Sequence, residues 1–451
     1  MEKDLTSGSV FKNIVYFSLP YLLSYFLQTL YGMADLFIIG QFNGVDSITA
    51  VSVGSQVMHM LTVMIVGLAM GSTVTIGRAV GARRSDQAAR TVGNTVTLFM
   101  GLSIALMALL LLLVRPIVAV MSTPAEAVSG TVMYLTICFI GVPFITAYNI
   151  ISSIFRGLGD SKSPMYFIAV ACVVNIVLDY VFIGVCHLGP AGAALGTTLS
   201  QTVSVIVALT VILKKKTGIA LKKEDFRPQA DTMGQILKIG VPVMLQDGFV
   251  QISFIVITVI ANRRGLNDAA AVGIVEKFIG IVFLIPSTML SAVSALSAQN
   301  IGAGKHDRAA STLRYAVLIA AGFGFAVSVA MQFAGTGVVG LFTEDADVIV
   351  LGDQYLRSYI WDCMFAGVHF SFSGYFCAYG LSGISFLHNV LSILLVRVPG
   401  AFLASKYFAD TLYPMGFAAT GGSVLSVLVC VIAFALLRRK GTLPKSEKKE
   451  N

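Results

Sequence analysis

The chain has 451 residues, of which 56% are apolar and 12% charged, with a mean hydropathy of +0.84. A soluble domain carries about 25% charged residues, so most of this length is expected in hydrocarbon. The net charge of +8 would suit nucleic acid, but Lys and Arg gather in alternate loops and at the C-terminus, a membrane-topology pattern that excludes that partner. The six cysteines are scattered, mostly inside apolar runs, and form no CxxC pair, so neither a disulfide framework nor a zinc site is indicated.

The N-terminus, MEKDLTSGSVFKN, has no signal-peptide n-region, h-region or cleavage site, so the first apolar helix is expected to be retained. A spanning helix needs ~20 apolar residues, and about twelve segments meet that need. They are 14–39, 51–77, 93–114, 132–156, 164–186, 190–213, 236–261, 270–298, 315–340, 355–380, 384–405 and 414–437. The second six repeat the first six. GARRSDQAA at Gly81–Ala89 recurs as GAGKHDRAA at Gly302–Ala310, and Tyr134–Leu135 as Tyr355–Leu356, both at a shift of 221 residues. SLPYLL at 18–23 matches GVPVML at 240–245, and GPAGAA at 189–194 matches YPMGFA at 413–418. A period this long is not a solenoid unit. The fold class expected is an all-α polytopic membrane protein of two six-helix repeats. An even helix count gives both repeats one orientation, so a pseudo-two-fold axis runs along the membrane normal, as in parallel-repeat transporters with a substrate site between the halves. The expected organisation is an N-terminal lobe at 1–213, a basic linker at 214–235, a C-terminal lobe at 236–437 and a basic tail at 438–451.

Loop charge sets the orientation. Arg78, Arg83, Arg84 and Arg90 follow the second segment, Arg156 and Lys162 the fourth, and Lys305, Arg308 and Arg314 the eighth. Lys214, Lys215, Lys216, Lys222, Lys223, Arg227 and Lys238 surround the link between repeats, and Arg438, Arg439, Lys440, Lys445, Lys448 and Lys449 close the chain. Loops on the other side are neutral or acidic, such as FTEDAD at 342–347. Positive charge marks the cytoplasmic side, so both termini are expected there. Arg263 and Arg264 break the pattern, and a local ion pair with Asp268 is the expected reason. Most of the 43 glycines read as sites of close helix packing.

An ionisable side chain at mid-bilayer costs at least ~2.5–3.5 kcal/mol, so those retained there are functional candidates. In the first segment Gln28, Tyr31 and Asp35 fall at i, i+3 and i+7 and share one helix face. Pro20, a turn or two earlier, removes a backbone hydrogen bond and marks a hinge. In the fifth segment Asn175 and Asp179 are four apart and share a face. Thr197 and Thr198 of the sixth can bring hydroxyls to the same place. Two carboxylates meeting in a poorly hydrated chamber resist joint ionisation. The set Asp35, Asp179, Asn175 and Thr197 is therefore expected to take up a proton, or to hold Na+ on carboxylate, amide and hydroxyl oxygens. A structural reading stands beside this one. Asp35 is about 7 Å from Gly40 at ~1.5 Å per residue, shallow enough to reach outer water. Asp179 could be satisfied by Asn175 and a hydroxyl for packing alone.

In the second half Asp247, Glu276, Lys277, Trp361, Asp362 and Arg397 fall in or near apolar spans. Lys277 and Arg397 can neutralise carboxylates such as Asp247 or Asp362. The set reads either as buried pairs fixing helix contacts or as the polar wall of a substrate cavity. His369 and His388 lack metal-ligand spacing, and His388 is expected at the cytoplasmic edge.

SLP at 18–20, YGMAD at 31–35, RAVGAR at 78–83 and FRGLGDSKSP at 155–164, carried on two six-helix repeats, resemble the multidrug and toxic compound extrusion (MATE) family over nearly the whole chain. The resemblance implies a cell-membrane transporter, not an enzyme. It implies export of small organic cations or amphipathic drugs by alternating access, coupled to inward H+ or Na+ flow, without an organic cofactor and as a monomer. In the branch similar to DNA-damage-inducible-protein-like members, the coupling cluster matches Gln28, Tyr31, Asp35, Asn175, Asp179 and Thr197. The sodium-coupled branch has acids in helices seven and ten. Here those positions fall near Val250 or Gln251 and near Phe365, with Asp362 one turn away, which favours the N-terminal site. The alternative within the same superfamily is a flippase of lipid-linked oligosaccharides or polysaccharides, which wants a basic cavity where this chain offers acids. An embedded enzyme lacks support, with no HExxH or GxSxG in the sequence, and a channel lacks a selectivity ring.

Overall fold

The computed structural model describes residues 4–214 and 220–444. Lys215, Lys216, Lys445, Lys448 and Lys449 of the expected basic linker and tail lie outside the described residues, as does the side chain of Lys214. The first half runs through α1 (Val10–Phe42), α2 (Val45–Gly81), α3 (Ser85–Val120), α4 (Ala125–Ile140), α5 (Val142–Gly157), α6 (Lys162–Asp179) and α7 (Pro190–Lys214). The second runs through α8 (Ala230–Asn262), α9 (Leu266–Val282), α10 (Leu284–Gly302), α11 (His306–Gly340), α12 (Ala346–Tyr359), α13 (Asp362–Ala378), α14 (Ser382–Ser392), α15 (Val398–Tyr407) and α16 (Tyr413–Arg439). Short π-helical turns follow α6 at Tyr180–Val185 and join α14 to α15 at Ile393–Arg397.

Among the described residues ten helical runs are long and apolar enough to cross a membrane, and α4 with α5, bent by 50°, makes an eleventh. The expected single segment at 132–156 is thus two helices meeting at Gly141. The pair α12 and α13 begins and ends 221 residues after α4 and α5. Its first turns carry Asp347, Asp353 and Arg357, and its place in the repeat makes it the twelfth span. No strand occurs among the described residues. Lipid offers no partner to a bare N–H or C=O, so helices satisfy their backbone internally. Hydroxyls inside the spans do the same, as Thr131 does by donating to the Ala127 carbonyl at 2.9 Å.

The chain folds as two compact units. The first comprises Leu19–Gly240 with Met1–Asp4, and the second comprises Leu5–Ser18 with Val241–Asn451. Pro20 and Pro242 therefore sit two residues past the points where α1 and α8 pass from one unit to the other. In the first unit Ile38, Tyr134, Leu135, Phe139 and Ile183 form one buried core and Phe155, Phe167 and Ile168 another. In the second, Tyr355, Tyr359 and Ile279 form one core, while Phe17, Leu296 and Phe376 form another.

Part of the polar stretch at 214–235 is fixed in place. A 3-10 turn at Lys223–Phe226 stands on α3. Gly93 leaves room for the Asp225 carbonyl, which a Cβ would strike. Asn94 donates to that carbonyl at 3.1 Å and accepts from the Gln229 N–H at 2.7 Å. α8 begins at Ala230, within this stretch.

Candidate functional site

α1 presents Gln28, Tyr31 and Asp35, the last turn of α6 presents Asn175 and Asp179, and α7 presents Gly196 and Thr197. These elements bring the polar groups together inside the first unit. Asp35 is 2% exposed, and Asn175 and Asp179 are fully buried. The Asp35 carboxyl faces Asp179, Asn175 and Thr197. Among the described residues the one bond closed in strict geometry within this set is Thr197 Oγ1 donating to Asp35 Oδ2 at 3.1 Å. Beyond facing one another, Asp35 Oδ1, both Asp179 oxygens and both Asn175 amide atoms have no hydrogen-bond partner among the described residues. The approach of Asp179 is permitted by Gly196, where a Cβ would run into Asp179 Oδ1. A π-helical turn starts directly after Asp179, and such turns are frequent at functional sites.

Tyr31 and Gln28 border the pair without touching it in the same way. Tyr31 faces Gln201 and stands within electrostatic range of Asp35, whereas Gln28 faces Tyr148. Gln201, Tyr148 and Gly196 were not singled out by the sequence. The i, i+4 relation of Thr197 and Gln201 is the signal that could have added Gln201. Pro20 lies inside the continuous helix α1.

Two carboxylates, a carboxamide and a hydroxyl form an oxygen-rich donor set. Such a set suits a proton or a hard alkali cation. No group of three or more His, Cys, Asp or Glu side chains comes together among the described residues. The orphaned oxygens of Asp35, Asp179 and Asn175 fit Na+, with Thr197 as a fourth donor.

Of the six polar residues of the second half, the structure brings Glu276, Asp362 and Arg397 together. The Arg397 charge acts on both carboxyls. Arg397 also donates to the Tyr359 hydroxyl at 2.6 Å and lies over the Phe254 ring at 4.6 Å. The others stand apart. Lys277, expected to neutralise a carboxylate, is exposed, because one helical step of about 100° turns it off the face of Glu276. Asp247 lies near Cys377 rather than a cation. Trp361 packs on the apolar core beside Phe325. His388, expected at the cytoplasmic edge, is fully buried, with Nε2 2.8 Å from Ser373 Oγ and its ring 5.4 Å from that of His369. Arg264 does form the expected ion pair with Asp268, at 3.4 Å. Its guanidinium also donates to the carbonyls of Ser405, Phe408, Ala409 and Thr411.

Fold and site together define a duplicated, multi-pass helical membrane protein with a buried carboxylate pair in its first half. A family model described as MatE matches residues 20–181 and again 242–403. The chain belongs to the MatE family, whose members are transporters. It is 30% identical over 407 residues to "Probable multidrug resistance protein YpnP" of Bacillus subtilis (strain 168), covering 90% of this chain and 91% of that one. It is 25% identical to "Multidrug export protein MepA" of Staphylococcus aureus (strain MSSA476), over 97% of this chain and 96% of that one. The fold is shared with a solved MATE in the bent conformation, at a TM-score of 0.88 and 24% identity, covering 97% and 96% of the two chains. It is also shared with a MOP superfamily transporter from Pyrococcus furiosus, at a TM-score of 0.89 and 23% identity over 98% of each chain.

Proposed function

We propose that this protein exports cationic or amphipathic small molecules by alternating access, driven by inward flow of protons or sodium ions through the Asp35–Asp179 pair. The observation that carries the reading is the facing of two buried carboxylates that, among the described residues, meet only each other, Asn175 and Thr197 and no cation. Buried charge without compensation is costly, so the pair calls for a cation. A proton or Na+ satisfies it from one side of the membrane, and release on the other restores its demand. An occupied pair offers less negative charge to a cationic drug, so ion and cargo compete, and that competition is the coupling. Na+ would be held by Asp35, Asp179, the Asn175 carbonyl oxygen and the Thr197 hydroxyl. The names of the relatives, multidrug resistance and multidrug export proteins, support a drug-like cargo. Bending of α1 at Pro20 would relay occupancy along that helix. The clustered Lys and Arg support cytoplasmic termini and a place in the cell membrane.

The test is efflux of a fluorescent cation in everted vesicles under imposed H+ or Na+ gradients. Asp35→Asn and Asp179→Asn should each abolish gradient-driven transport. Transport that follows the gradient in both variants would overturn the reading.

A further inference from the structure

The halves carry the same helices at a nearly fixed offset, so each wall of the first chamber has a counterpart. At 221 residues, the offset of α4–α5 from α12–α13, Ser55 corresponds to Glu276, Tyr134 to Tyr355, Cys138 to Tyr359 and Gly141 to Asp362. At 222, the offset of Pro20 from Pro242 and of the limits of the two matched family segments, Asp35 corresponds to Ile257. Between Gly159 and Gly380, at 221, and Gly189 and Tyr413, at 224, the counterpart of Asn175 falls in 396–399, which contains Arg397, and that of Asp179 in the uncharged stretch 400–403 around Ala401. The surroundings keep this correspondence. Ser55 hydrogen-bonds Tyr134 at 3.1 Å, and Glu276 acts on Tyr355. A Cβ on Gly141 would come within 2.8 Å of Thr198 Oγ1 on α7, and Asp362 faces Ser423 on the corresponding helix α16.

The charges have changed walls. In the first unit the acids project from α1 and α6, while Ser55, Gly141 and Asn175, which answer to the charged positions of the second unit, are neutral. In the second unit the α1 and α6 counterparts are Ile257 and Ala401. The acids there are Glu276 on α9 and Asp362 on α13, and a guanidinium stands in the short stretch that answers to Asn175. Arg397 is 8% exposed and Asp362 fully buried. The guanidinium is held by the Tyr359 hydroxyl, by the Phe254 ring and by the Tyr359 ring at 5.8 Å. Arg397 closes no direct ion pair: its Nε, Glu276 Oε1 and both Asp362 oxygens have no hydrogen-bond partner among the described residues. Its charge acts on both carboxyls across the gap, and the Phe254 ring beneath it lies one turn before Thr258, which donates to Glu276 Oε2 at 3.3 Å.

We infer that Arg397 is a tethered cation that occupies the second unit's chamber in the place where the first unit receives its exchangeable ion. The second unit is permanently loaded, and ion coupling resides in the first unit alone. This rests on the role proposed for Asp35 and Asp179. A mobile cation entering beside Arg397 would meet a fixed like charge, and the carboxylates that would attract it are already engaged.

Replacing the tether by a free ion of the same chemistry tests the inference. Arg397→Ala, purified and reconstituted in proteoliposomes, should lose export at least ~tenfold, because removing one partner of a buried charge cluster leaves the others uncompensated. Guanidinium chloride at millimolar concentration should restore export saturably, and urea, its neutral isostere, should not. Guanidinium should likewise raise the melting temperature of the purified variant saturably, a readout that does not need transport. Arg397→Gln, closer in shape, should behave as Arg397→Ala, while Arg397→Lys should retain most export. Rescue by urea as well as by guanidinium, failure of guanidinium in both readouts, or full export by Arg397→Gln would overturn the inference. The double variant Asp35→Asn with Asp179→Asn, intact at Arg397, tests the underlying reading separately: its loss of ion-driven export is expected, and ion-driven export that persisted would place coupling outside the first unit.

Discussion

Gly196 offers a way to move one carboxylate without removing it. It lies in α7 beside Thr197, and a Cβ built there would overlap Asp179 Oδ1 and stand 3.6 Å from Asn175 Nδ2. Its backbone is helical, so glycine is required by the space and not by conformation. In Gly196→Ala the added methyl must push Asp179 off its present rotamer. Overpacking an interior costs ~1–3 kcal/mol, while Ala gains ~1 kcal/mol over Gly in a helix. The net ~0–2 kcal/mol is small enough for the fold and falls on the Asp179 position. At about 1.4 kcal/mol per tenfold, that weakens ion binding by up to ~25-fold. Gly101→Ala is the control, since its Cβ meets nothing within 4 Å. The assay is gradient-driven efflux in everted vesicles as a function of coupling-ion concentration. The half-saturating ion concentration should rise in Gly196→Ala and stay unchanged in Gly101→Ala. A Gly196→Ala protein with wild-type rate and wild-type ion dependence would refute the claim that the approach of Asp179 matters.

Asn94→Ala strands the Asp225 carbonyl and the Gln229 N–H, so a loss of about 1–3 kcal/mol should appear as a lower melting temperature with unaltered ion dependence of export. Arg264→Lys should also melt lower, because an ammonium cannot reproduce the fork that serves four carbonyls; an unchanged melting temperature would mean that the loop at 405–411 holds itself. Lys277→Ala should stay within about 0.5 kcal/mol of wild type and export normally, in contrast to Arg397, and a large loss would return Lys277 to the buried cluster.

The meeting of Asp35, Asn175, Asp179 and Thr197 was legible because two simple constraints act on them. Acids are expensive in hydrocarbon, and a spacing of four residues fixes a shared helix face. Neither constraint reaches Gly196, whose importance comes from what another helix places against it. A glycine in a membrane helix carries no mark that separates such a site from ordinary close packing. Lys277 and Arg397 looked alike as cations beside apolar runs. Their fates diverge through helical phase, and for Arg397 the π-helical turn at Ile393–Arg397 shifts that phase by an amount no periodicity reveals. The polar stretch before α8 read as linker from composition. Composition is silent on whether polar backbone is solvated or received by a partner, and Gly93 with Asn94 provides the partner for Asp225.

The repeat then explains why one architecture can serve two purposes. Each unit gathers two acids among the same set of repeated helices, in a medium where unbalanced charge is costly. There are two ways to balance it. In the function proposed for Asp35 and Asp179, the first unit is balanced from outside and its balance changes with the ion supplied. In the inference drawn for Arg397, the second is balanced by a guanidinium carried on the stretch that answers to Asn175, so its balance is covalent and constant. Few positions separate these outcomes: Ile257 and Ala401 in place of Asp35 and Asp179, acids moved to Glu276 and Asp362, and Arg397 itself. A moving machine benefits from that asymmetry, because one unit can sense the gradient only if the other does not answer to the same ion with an equal and uncontrolled change of its own.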